Sequence, residues 1–184
     1  STNFVHLIAS MVKISGNRAD HWVSNPDSNH VAVLFFGPNL GLVRDRSKSV
    51  LRVLSGDNLD DPFSVVMIDE ARLKAEPSVI SDEAFAQSFL GGGKVVGISG
   101  ANDKFVSPLS EILTGGLNPN PIVVEAGDLP PRSKLRNLFE KADNAAAIGC
   151  YEDDARSVTT LVETRFRDMG IQADRKAVEA LAAR

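Results

Sequence analysis

An α/β domain built on a parallel sheet, with helices on its faces, is the fold class this sequence predicts. Three observations support it: short β-rich apolar runs, helical patterns between them, and turn-forming residues at the junctions. The runs are Val31 to Phe36, Ser64 to Ile68, Lys94 to Ser99, Pro121 to Glu125 and Ala145 to Cys150. Strands covered by helices on both faces read as nearly continuous apolar stretches, because neither face meets water.

The first run leads into FFGPNLGLVR, Phe35 to Arg44, where a nucleotide-binding α/β protein would place its phosphate loop. That chemistry needs GxxxxGK[ST]: backbone N–H groups wrap the phosphates, lysine neutralises them, and a hydroxyl holds magnesium. Counted from Gly37, the last three places fall on Leu42, Val43 and Arg44, Gly41 stands one residue early, and Pro38 removes a donor. The position fits a phosphate loop and the residues do not. A helix follows from Leu40 to Leu54, with Leu40, Val43, Val50, Leu51 and Leu54 apolar.

The second run ends in VVMIDE, Val65 to Glu70, which has the form of a strand presenting a magnesium-binding Asp and a water-activating acid. Its simpler reading is that Asp69 or Glu70 caps the next helix. Further helical segments are predicted over Pro108 to Leu113 and Ser133 to Lys141. After Tyr151 no strand-like run appears. Asp154 can cap a helix from Ala155 to Met169, Gly170 can stop it, and Asp174 can cap another running to Arg184. Its stripe of Val178 and Leu181 has no later helix to cover it, which suggests a fragment. The expected organisation is an extension or cloning remnant over 1–10, an α/β domain over 11–150, and the beginning of a helical unit over 151–184.

Composition narrows the function classes. The chain has 184 residues, 43% hydrophobic and 24% charged, as in ordinary globular proteins, and a net charge of −4. That charge disfavours non-specific binding to a phosphate backbone, which relies on clustered Lys and Arg. Cys150 is the single cysteine, so no intramolecular disulfide or cysteine-rich zinc site can form, which suits a reducing cytoplasm. FVHLIASMV near the start is too short to span a membrane. His6, His21 and His30 lack neighbours at metal-ligand spacing, and Cys150 reads as a small hydrophobe closing a strand. No cofactor or metal is expected.

Two segments suggest partners. In SFLGGGK, Ser88 to Lys94, the pair Phe89 and Leu90 ends a helical pattern and is followed by three glycines. Such a pair either packs inward or projects as a wedge into a partner, and the glycines favour a protruding turn. In GDLPPRSKLRNLFEKA, Gly127 to Ala142, residues Arg132, Lys134 and Arg136 make a basic helix start. It suits either a solvated face or an acidic partner.

In this order, VLFFGPNLGLVRDR, DDPFSVVMID, QSFLGGGKVVGI, VVEAGDLPPRSKLRNLFEKADNAAAIGCYEDD and the helical tail resemble the delta subunit of the bacterial DNA polymerase III clamp loader. The resemblance runs from near Met11 to the end. It implies an AAA+-like α/β domain with a degenerate phosphate loop, then the start of a helical lid. It also implies a subunit without ATPase activity that grips the ring-shaped sliding clamp, helps open it, and works with other loader subunits of the polymerase holoenzyme. DNA would be met only through that complex. The implied grip is Ser88, Phe89, Leu90 and Gly91, with Phe89 and Leu90 entering a clamp pocket in the reverse of the family's usual Leu-Phe order. Arg132 and Arg136 are candidates for contact with a loader neighbour. Two alternatives stay open: an ATPase with an unusual phosphate loop, supported by VVMIDE, and a receiver-type signalling module. The second would need acids after the first strand and lysine after the last, where Phe36-Gly37-Pro38 and Cys150-Tyr151 stand.

Overall fold

The computed structural model describes residues 14, 16–87 and 94–152. The expected helices after Asp154, the extension over 1–10, His6 and the Ser88 to Gly91 motif lie outside the described residues.

The predicted runs form five strands: β1 (Ala32–Phe36), β2 (Val65–Ile68), β3 (Val95–Ala101), β4 (Ile122–Ala126) and β5 (Ala145–Gly149). They pair in parallel in the order β2-β3-β4-β1-β5, with Val33 opposite Val123 on one side and Ala146 on the other. The described helices are α1 (Asn17–Ser24), α2 (Leu40–Ser55), α3 (Glu70–Ala75), α4 (Val79–Ala84), α5 (Val106–Thr114) and α6 (Lys134–Lys141).

Side-chain alternation on β1 divides the core. Val33 and Phe35 face a layer containing Ala19 and Trp22 of α1 and Leu42, Val43, Val50 and Leu51 of α2. Ala32, Leu34 and Phe36 face Val79 and Ile80 of α4, Leu109 and Ile112 of α5, and Leu135 and Phe139 of α6. β1 and β5 are therefore buried along their whole length, which explains their unbroken apolar runs, while the edge strand β2 leaves Met67 exposed.

Helix limits follow local chemistry. Asn39 caps α2 by accepting from the Leu42 N–H at 3.0 Å, and Gly56, at φ 63°, closes it in the left-handed conformation. Leu40, expected on the apolar stripe, is half exposed at the first helical position, and Leu42 takes the buried place. Asp69 caps α3 by accepting from the Arg72 N–H at 2.8 Å, so the acid after β2 performs the simpler of its two expected roles. Pro108 is tolerated because it falls in the first turn of α5.

Candidate functional site

The loop after β1 lies where strand order places a ligand crevice in open α/β sheets: α2 leaves β1 to one face, while the helices after β2, β3 and β4 pack on the other. A phosphate site there needs free N–H groups, and several of those near this loop are taken up internally. The Gly37 N–H donates to the Gly127 carbonyl at 3.0 Å and the Asn39 N–H to the Cys150 carbonyl at 3.3 Å. The Leu42 N–H goes to the Asn39 side chain and the Val43 N–H to the Asn39 carbonyl at 3.0 Å. Gly37 has φ 145°, and a Cβ there would stand 2.2 Å from the Cys150 carbonyl oxygen, so the loop closes directly on the end of β5. Whether the motif is counted from Gly37 or from Gly41, the lysine place falls on Val43 or Leu42, and both are buried in the core.

Beneath this loop two arginines point inward. Arg46 of α2 is buried, with Nη2 3.0 Å from Asp20 and Nη1 3.2 Å from the Gly149 carbonyl and 3.7 Å from the Cys150 Sγ. Arg136 is also buried: Nε donates to Glu140 at 2.8 Å, Nη1 to the Leu129 carbonyl at 3.1 Å, and the guanidinium stacks 4.9 Å over the Phe36 ring. This corrects the picture of one basic helix face. Arg136 is committed to its own domain, whereas Arg132 is exposed. Lys134 and Lys141 rim an open cavity of about 800 Å³ between α5 and α6, floored by Leu113 and Leu138.

At the ends of β2 and β3, Glu70 bonds Lys104 Nζ and accepts from Asn102 Nδ2 at 2.7 Å. Lys104 first and Asn102 second hold its carboxyl below the usual carboxylate range. Both acids of VVMIDE are thus engaged, Asp69 in a cap and Glu70 in a surface network. Cys150 is buried as expected, His21 is exposed, and His30 Nδ1 accepts from Trp22 Nε1 at 3.2 Å.

The sequence singled out Ser88 to Gly91, outside the described residues, but it did not show what flanks them: Glu83 and Lys94 are ion-paired. The only available signal was a single acid and a single base eleven positions apart, a spacing without meaning in a continuous helix.

No family model matches the chain, and no curated protein matches it significantly. Among solved structures it is similar to the Bacillus subtilis DNA clamp loader delta protein (YqeN), with TM-score 0.59 and 18% identity over 89% of this chain and 50% of that one. The chain thus spans about half the length of that protein. A DNA polymerase III gamma subunit-related protein from Thermotoga maritima aligns with TM-score 0.46 and 12% identity, over 89% of this chain and 55% of that one. Among the described residues no helix is long and apolar enough to cross a membrane. The fold is the parallel α/β sheet with flanking helices that the sequence predicted, and it is similar to that of a clamp loader delta protein.

Proposed function

We propose that this chain belongs to a non-hydrolytic clamp-loader subunit of the delta type, serving DNA replication by gripping the sliding clamp and helping to open it. One observation carries the reading. A sheet similar to that of a clamp loader delta protein over 89% of the chain has, at its crevice, a loop whose lysine place is apolar and buried. Such a subunit cannot drive loading by its own phosphate chemistry, so its contribution lies in what it binds.

The grip falls to Ser88, Phe89, Leu90 and Gly91, with Phe89 and Leu90 as the apolar wedge. Burying two side chains of this size yields about 1.5–3 kcal/mol each, enough for a small wedge to dominate an interface. Arg132, exposed beside α6, is a better candidate for a contact with a neighbouring loader subunit than the buried Arg136. DNA is reached through the assembled loader.

Calorimetric titration of this chain with the sliding clamp of the same organism tests the reading. Phe89→Ala with Leu90→Ala is expected to weaken binding by about 2 kcal/mol or more. Unchanged affinity in the double variant would remove the wedge from the interface. The ATPase alternative predicts binding of ATP with magnesium at millimolar concentration, and we expect none.

A further inference from the structure

Helices α5 and α6 both pack on the sheet, and the open cavity of about 800 Å³ lies between them. Its floor is apolar. Leu113 of α5 is buried there, while Val106 of α5 and Leu138 of α6 are only partly covered. Most polar groups of the lining are committed to this chain. Asn144 Nδ2 donates to the Leu113 carbonyl at 3.0 Å, Asn137 Nδ2 to the carbonyls of Pro131 at 2.7 Å and Ser133 at 2.8 Å, and the Thr114 hydroxyl to the Ser110 carbonyl at 2.8 Å. Lys134, Lys141 and Asp143 remain. All three are exposed, and among the described residues none of them is in an ion pair.

The spacing of these charges defines an occupant. Lys134 and Lys141 open and close α6, so they stand about 10 Å apart along its axis, with Leu138 between them. Even with Asp143 beside Lys141 the rim is net positive, in a chain whose overall charge is −4. An enclosed cavity of this size would suit a small molecule, whereas an open one about two helical turns long suits a chain segment. In an amphipathic helix, residues two turns apart share a face, and the apolar residues between them lie on the same side. Two carboxylates so spaced meet both lysines while the apolar side chains between them cover Val106, Leu113 and Leu138. Nucleic acid matches poorly, since two lysines beside an aspartate offer little to a phosphate backbone.

We propose that the cavity between α5 and α6 is a docking groove for an acidic amphipathic helix of a partner protein, seated on Val106, Leu113 and Leu138 and bracketed by Lys134 and Lys141. The groove is independent of the clamp-loader reading, since it uses neither the Ser88 to Gly91 motif nor the loop after β1.

The probe is a fluorescein-labelled, alanine-based helical peptide with leucines along one face and two glutamates, two turns apart, at the borders of that face. Anisotropy titration with the whole chain is expected to show saturable binding at micromolar concentration, and the methyl NMR shifts should be largest at Val106, Leu113 and Leu138. Lys134→Gln with Lys141→Gln is expected to weaken binding about tenfold while the thermal midpoint stays near wild type. Lys134→Glu with Lys141→Glu should transfer the preference to the same peptide carrying lysines in place of its glutamates. No binding at millimolar peptide, or equal affinity of the wild-type chain for the two peptides, would overturn the proposal. So would methyl shifts centred elsewhere, or attachment of the chain to phosphatidylglycerol vesicles without binding to the peptide. Self-association of the chain that the lysine variants abolish would also overturn it, by giving the groove to a second copy.

Discussion

The two margins of the sheet use polar groups in opposite ways. At the carboxyl ends of the strands, the Gly37 and Asn39 N–H groups donate to the Gly127 and Cys150 carbonyls and the Leu42 N–H to the Asn39 side chain, with the Arg136 guanidinium stacked on Phe36. At the amino ends of β3 and β4, Lys94 and Asn120 reach outward along the chain to Glu83 and Ala86. The first margin has the place of a phosphate site and uses its hydrogen bonds for rigidity. The second uses them to hold the end of α4 against the starts of β3 and β4. Polar chemistry at a strand end is therefore informative only once its partners are known.

The contrast is open to test. The largest effect is expected from Gly37→Ala, where the new methyl meets the Cys150 carbonyl and φ is unfavourable; unfolding in urea should show a loss of about 3 kcal/mol or more. Arg136→Met should cost about 2 kcal/mol by leaving Glu140 and the Leu129 carbonyl without their donor and removing the stack on Phe36. A stability within error of wild type would return Arg136 to the surface role that the sequence suggested.

A matched pair sharpens the comparison further. Asn39→Ala and Asn120→Ala each remove a side chain that satisfies a helix end, and each should cost about 1 kcal/mol in stability. Urea unfolding of the two variants checks this, and a loss in only one of them would mean that the side chains at the two margins do not contribute equally to stability.

The smallest effect concerns acid. Asp103 accepts from the Leu135 N–H at 3.0 Å and the Ser133 hydroxyl at 3.1 Å, joining the start of α5 to the start of α6. These bonds, that to Leu135 foremost, lower its carboxyl pKa in the folded state. The contribution is therefore complete above the unfolded carboxylate value near 3.9 and disappears as pH falls through the lower folded value. Asp103→Asn should flatten the acid limb of the stability profile in that window, and an unchanged limb would exclude this linkage.

Much of this architecture is legible from residues alone. Each of the five strands lies within two residues of its apolar run, because strands buried mostly on both faces are apolar along most of their length. Capping by Asp69 was legible because a short acid between strand and helix satisfies N–H groups locally. Helix α1 was not assigned from the sequence; its contribution to the core rests on Ala19, Trp22 and Val23, too few apolar residues to show a periodic stripe. Arg136 looked like part of a basic face because its neighbours Arg132 and Lys134 are exposed, while helical phase turns Arg136 toward Phe36.

Sequence by itself determined the five strands, the absence of the phosphate-loop residues and the candidate wedge, since each depends on neighbours within a turn or a strand. Tertiary structure decided the strand order, the closure of Gly37 on Cys150 and the pairing of Glu83 with Lys94 on Arg72. Those depend on which distant segments meet. An isolated charge or glycine has no preferred partner until packing brings one within hydrogen-bonding reach.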